Sequence, residues 1–101
     1  MAGGAQWVAA FLQAIAAESG AAANTLAAYQ RDLTDFGTHV GMANIGTASR
    51  DQIEDYLAQL ASNGLAASTR ARRLSALRQF YRFIFQEGWR KDDPATELRG
   101  P

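Results

Sequence analysis

Between residues 68 and 87 the chain places Arg70, Arg72, Arg73, Arg78 and Arg82, and the only acid in that stretch is Glu87. A guanidinium is a planar, permanently charged fork that fits phosphate oxygens and the guanine edge with two parallel hydrogen bonds. The apolar spacing around these arginines predicts a helix. Three of them fall in its first two turns, where the helix dipole disfavours a cation by about 0.3 kcal/mol or more each. An anion at that end would remove the conflict, because free backbone amides, dipole and arginines would converge on it. Ser68 and Thr69 add hydroxyl donors at the same end. Projected at the helical period, Arg72, Ser75, Gln79 and Arg82 lie opposite the apolar stripe. Arg70 and Arg73 project closer to the buried side, which suits one of them to packing or an ion pair.

The chain has 101 residues, with ten basic and ten acidic side chains, so its formal net charge is zero. As a sum this speaks against a polyanionic partner; by position it does not. Residues 1–60 hold two arginines against six acids, whereas residues 61–101 hold eight basic residues against four acids, a split of −4 and +4. A solvated basic face, arginines paired with acids of the third helix, or a helical interaction module docked on an acidic protein partner would produce the same split. Other chemistries lack their residues. With no cysteine and one histidine, His39, the composition implies no disulfide, no metal site and no cofactor. No clustered nucleophile and base and no phosphate-cradling glycine loop is present, so this piece does not read as an enzyme. No apolar run approaches the roughly 20 residues of a membrane span, and Met1-Ala2-Gly3-Gly4 does not begin a signal peptide. The chain reads as a soluble, cytoplasmic domain with no membrane partner.

The elements that must position the arginines are helical. Alanine abundance with only two prolines favours helix over sheet. A first helix is predicted over 6–19, with Trp7, Val8, Phe11, Leu12 and Ile15 on one face and Gly20 as its stop. A second spans 24–40 with the seam Leu26, Tyr29, Leu33, Phe36 and Val40. Its N-cap is Ala23 or Asn24, Asn24 being the better acceptor, and Asn24, Ala28, Arg31 and Asp35 lie opposite the seam. Residues 41–48 read as a loop. Ser49-Arg50-Asp51-Gln52 fits a capping box opening a third helix that buries Ile53, Tyr56, Leu57 and Leu60 and ends at Asn63-Gly64. The fourth, over 68–87, buries Leu74, Leu77, Phe80, Tyr81, Ile84 and Phe85. Asp92-Asp93-Pro94 then begins a short helical turn over 94–98. Trp7, Phe11, Tyr29, Phe36, Tyr56, Phe80 and Tyr81 supply the large core pieces. The expectation is an all-α, compact four-helix bundle with a short extra C-terminal helical turn.

A family resemblance rests on these residues. Asn24-Thr25-Leu26, Tyr29, Asp32-Leu33 and Phe36 resemble the second helix of the N-terminal core-binding domain of tyrosine recombinases, the phage-integrase SAM-like domain. Ser68-Thr69, Arg73-Leu74-Ser75-Ala76-Leu77-Arg78, Phe80-Tyr81 and Phe83 resemble its fourth helix. Glu87-Gly88 and Asp92-Asp93-Pro94-Ala95 resemble the exit towards the catalytic domain, in a form closest to XerD-like members. The likeness runs from Trp7 to Pro94. It implies a SAM-like bundle whose second and fourth helices meet the major groove of double-stranded DNA, a recombination half-site, as one half of a C-shaped clamp. The contact candidates it implies are Asn24, Thr25, Ala28 and Arg31, then Ser68, Thr69, Arg70, Arg72, Arg73 and Gln79. Ala27, Ala28 and Gln30 leave the second helix thin in long polar groups, which points it to phosphate rather than bases. The resemblance further implies a C-terminal catalytic domain in the same parent chain, carrying the nucleophilic tyrosine, and sister or partner protomers on DNA during integration or chromosome dimer resolution. Tyr29, Tyr56 and Tyr81 read as core residues and His39 as a surface or helix-end residue. The implied organisation is a flexible 1–5, a DNA-binding domain over 6–98 and the start of an interdomain linker at 99–101.

Overall fold

A computed structural model describes residues 3–20 and 22–98 of the chain, apart from the side chain of Ser19. Four α-helices carry the fold: α1 (Gly4–Ser19), α2 (Ala23–Val40), α3 (Arg50–Ser62) and α4 (Ala67–Gln86). A 3₁₀ segment, Met42–Thr47, joins α2 to α3. The described residues contain no strand, as the alanine-rich composition predicts.

α1 starts two residues earlier than expected, at Gly4, which is buried rather than part of a loose end. A Cβ at Gly4 would stand 2.2 Å from the Met42 carbonyl oxygen, so only glycine lets α1 approach the 3₁₀ backbone this closely. Of the segment 1–5, Met1 and Ala2 lie outside the described residues, as do residues 99–101 of the expected linker. Val8 and Phe11 are buried, while Trp7, Leu12 and Ile15 pack against the core from its edge.

α2 also starts early. Its N-cap is Ala22, already extended at φ −65° and ψ 153°, whose carbonyl accepts from the Leu26 amide at 3.1 Å. Neither Ala23 nor Asn24 caps the helix, and no side chain does. Gly20 ends α1 in the left-handed region at φ 59°, and with Ala22 as N-cap Asn24 already lies inside the first turn of α2. Leu33 and Phe36 are fully buried, and Leu26, Tyr29 and Val40 are half-buried along the same seam.

The expected loop 41–48 is instead the 3₁₀ segment. Ile45 is fully buried and its carbonyl accepts from the Tyr81 hydroxyl, which ties the segment to α4. α3 opens as read. The Ser49 hydroxyl accepts from the Gln52 amide at 3.1 Å, and the Gln52 side chain accepts from the Ser49 amide at 2.9 Å. Ser49→Ala is expected to cost about 1 kcal/mol, read as a lower urea midpoint with an unchanged slope.

On α4, Leu74, Ala76, Leu77, Phe80, Tyr81 and Ile84 face the core. Phe85 does not: it projects on the same face as Tyr81 and Leu74 but is 45% exposed, in the last turn of the helix. Trp89 folds back after the helix, stacks on Trp7 at 5.7 Å and meets Phe83 edge to face at 5.5 Å. Arg90 lies over the Tyr81 ring and pairs with Asp92 at 2.8 Å. The Asp93 carboxylate accepts from the Ala95 amide at 3.1 Å. Residues 94–97 form a turn, not a helix, that seats Pro94, Ala95 and Leu98 on the core.

Candidate nucleic-acid interface

α2 and α4 meet along one seam, and their contacts run antiparallel. The Gln79 amide donates to the Tyr29 hydroxyl at 2.8 Å. The Arg72 guanidinium lies 3.1 Å from an oxygen of Asp32, and Arg73 bonds Asp35. Asn24 and Thr25, exposed at the start of α2, therefore sit at the end of the seam opposite Ser68 and Thr69 at the start of α4. Ala28 is half-buried on the seam wall and Arg31 is exposed beside it. Of the predicted residues, Arg72, Arg73 and Gln79 contact α2 across this seam.

Two neighbouring arginines have different employment. Arg73 has a side chain 21% exposed; it donates to Asp35 and to the Tyr56 hydroxyl at 3.1 Å, and its Nε lies 4.0 Å from Asp32. The Tyr56 hydroxyl in turn donates to Asp35 at 2.6 Å, so this cluster knits α2, α3 and α4 together. Arg73 is the packing arginine. Arg72 is 44% exposed and touches Asp32 through Nη2 alone. The acids that engage these arginines come from α2. Two of the three acids of α3 find other partners: Glu54 pairs with Arg50 at 2.9 Å and Asp55 lies 3.5 Å from His39.

The remaining cations are freer. Arg70 donates through Nε to the Leu65 carbonyl at 3.3 Å, and no ion pair among the described residues involves Arg31, Arg70, Arg78 or Arg82. Arg78 is half-buried and Arg82 exposed. The N-terminus of α4 has no side-chain cap and no acid in its first turn. The start of α4 thus combines open amides and the helix dipole with the Arg70 guanidinium, an arrangement that attracts anions.

Asp32 is the residue that sequence reasoning passed over. It is 3% exposed, and its Oδ2 has no hydrogen-bond partner. Burial pushes its pKa up, and the charges of Arg72, Arg73 and Arg31 pull the other way without cancelling the rise. The available signal was its position: an acid next to Leu33 on the inner half of an amphipathic helix needs a cation across from it. Burial also raises the phenol pKa values of Tyr56 and Tyr81 and keeps both protonated. Tyr29 is half-buried and stacks on Phe11 at 6.4 Å. Among the described residues no group of three acids or histidines is placed to hold a metal ion, and no helix is long and apolar enough to cross a membrane.

Comparison with known proteins agrees with this architecture. Residues 8–88 match the family model of the phage integrase N-terminal SAM-like domain. The tyrosine recombinase XerD of Rhizobium meliloti (strain 1021) is 50% identical over 99 residues, which cover 96% of this chain and 32% of that protein. XerD of Bradyrhizobium diazoefficiens is 48% identical over 93 residues, 90% of this chain and 29% of the relative. XerD of Caulobacter vibrioides is 44% identical across the whole chain, 34% of its own length. No solved structure matches the chain. The chain spans about a third of the length of the curated relatives it matches. An all-helical bundle matched over most of its length, with XerD recombinases as its relatives, belongs to the phage-integrase N-terminal SAM-like domain family of the tyrosine recombinases.

Proposed function

We propose that the chain is the DNA-binding N-terminal domain of a site-specific tyrosine recombinase and grips duplex DNA, a recombination half-site, along the α2–α4 seam. The observation that carries this reading is the set of arginines on α4 with no acid on that helix, beside Arg31 of α2. Affinity comes from phosphate contacts by Arg31, Arg70, Arg72, Arg78 and Arg82. Ser68 and Thr69 supply hydroxyl donors at the open end of α4, and the Asn24 amide and Thr25 hydroxyl add donors at the far end of the seam. Arg73 serves from within by holding the two helices together. Gln79, engaged by Tyr29, orients the seam wall more than it reads a base. Strand cleavage belongs to a catalytic domain elsewhere in the parent protein, which works on cytoplasmic DNA together with sister protomers.

A domain that forms half a clamp binds weakly alone, in the range of about 10⁻⁴–10⁻⁶ M. Titration with a Xer-type half-site duplex at low salt is expected to move the amide signals of residues 68–82. Arg31→Ala is expected to weaken binding and to flatten the slope of affinity against salt by about one phosphate contact. Amide signals that stay in place, with self-association or capture of an acidic protein instead, would replace this reading with a protein-docking one. An unchanged slope in Arg31→Ala would remove α2 from the phosphate set.

A further inference from the structure

Resting on the DNA-binding reading, a second level of organisation lies beneath the exposed arginines. Asp32 is an almost completely buried carboxylate between α2 and α4, with Arg72 Nη2 at 3.1 Å and Arg73 Nε at 4.0 Å. Its Oδ2 is buried without a hydrogen bond. Stability alone is a weak reason for such a residue, because a buried ion pair replaced as a whole by well-packed neutral groups is often no less stable. Arg73 is held through Nη1 by Asp35 and Tyr56, while its buried Nε makes no hydrogen bond and faces Asp32 only at 4.0 Å.

Arg72 is the group that depends on it. Asp32 is the one acid within ion-pair distance of Arg72 among the described residues. The pair uses Nη2 and leaves the other guanidinium donors of a half-exposed side chain to the outside of the seam. An unrestrained arginine spreads over many rotamers and must be ordered on binding. We infer that Asp32 is a positioning residue: its carboxylate holds the Arg72 guanidinium at the edge of the α2–α4 seam, already oriented to receive a DNA phosphate.

The sign of the effect separates this role from simple charge. Asp32→Asn removes a negative charge from beneath a DNA-binding surface, so electrostatics alone predicts tighter binding. Positioning predicts weaker binding. The test uses the full 101-residue chain and a mixed-sequence 20-base-pair duplex at low salt. Asp32→Asn is expected to weaken binding roughly 3- to 10-fold, the scale of ordering one arginine side chain. In an Arg72→Ala background the same change is expected to have no weakening effect. Binding that is unchanged or tighter in Asp32→Asn overturns the inference, as does an equal weakening with and without Arg72. A role confined to stability would move the thermal midpoint and leave the affinity alone, which also overturns it.

A second measurement needs no substitution. In the free wild-type chain the Arg72 Nε–H is expected to show a heteronuclear NOE well above that of Arg82, and an Arg72 as mobile as Arg82 overturns the inference whether or not Asp32→Asn folds. A wild-type chain that leaves the duplex unbound brings down the DNA-binding reading and this inference with it. A wild type that binds while Asp32→Asn binds as well brings down the inference only.

Discussion

Replacing Phe36 by alanine is expected to lower the stability of the domain by about 3–5 kcal/mol, the largest loss expected of any single truncation along the α2 seam. Phe36 is completely buried, and its ring meets Tyr56 edge to face at 5.0 Å and stacks on His39 at 6.4 Å. Truncation removes its own transfer free energy and leaves a cavity beneath Tyr56, the residue that ties Asp35 and Arg73 to α3. A domain of this size commonly has about 5–15 kcal/mol in total. The variant is therefore expected near the edge of folding, with a thermal midpoint lowered by roughly 15–30 °C. Phe85, the same side chain at 45% exposure, serves as the internal control, and its truncation is expected to stay within about 0.5 kcal/mol. Urea unfolding of both variants checks the contrast. Similar midpoints would mean that Phe36 does not bear the weight its burial implies.

The contrast between these two phenylalanines marks what could be read from the amino acids. Leu33 and Phe36 repeat at the helical period within a long seam, so their burial follows from spacing alone. Phe85 adjoins Ile84 at the end of a stripe, where spacing does not say which residue lies inside the edge. The capping box at Ser49 was legible because both of its bonds lie within four residues. The start of α2 was not, since Ala22 takes the cap through its extended backbone alone and the better acceptor, Asn24, plays no part. The 3₁₀ segment escaped for a related reason: its hold on the fold is the Ile45 carbonyl accepting from the Tyr81 hydroxyl and Gly4 packed on Met42, both contacts across long sequence separations.

The candidate surface divides in the same way. A run of arginines on an acid-free helix is visible as composition along one element. Which of Arg72 and Arg73 turns inward is set by where α2 crosses α4, and their directions differ by about 100°. An acid on α2 also reads as solvated until the crossing places it beneath a neighbouring helix. Asp32 thus stayed hidden while the arginines it serves were plain.

Arg73 provides the second large effect, and its pH dependence identifies the group behind it. Arg73→Met keeps length and bulk while removing the charge that faces Asp32 and Asp35. Asp35, with its side chain 48% exposed, regains water and keeps the Tyr56 hydroxyl, so it costs little. Asp32 cannot regain water and keeps Arg72 as its close cation. Removing one partner of a buried ion pair costs about 3–5 kcal/mol, and the surviving Arg72 places this case near 3. The sign with pH follows from Asp32. Its folded-state pKa already lies above the ordinary 3.8, and loss of the Arg73 charge raises it further. A carboxyl raised in this way favours the folded state fully below its unfolded pKa, and that contribution is lost as pH rises through the folded value. The gap between Arg73→Met and wild type is therefore expected to be widest near neutral pH and to narrow as pH falls through the raised Asp32 pKa towards 3.8. Adding Asp32→Asn to Arg73→Met is expected to restore much of the loss at neutral pH, because the uncompensated charge is then gone. Urea midpoints of the single and double variants, each measured at neutral and acidic pH, test both statements. A gap independent of pH, with no recovery in the double variant, would assign the loss to the Asp35–Tyr56 side of the cluster and leave Asp32 without a part in it.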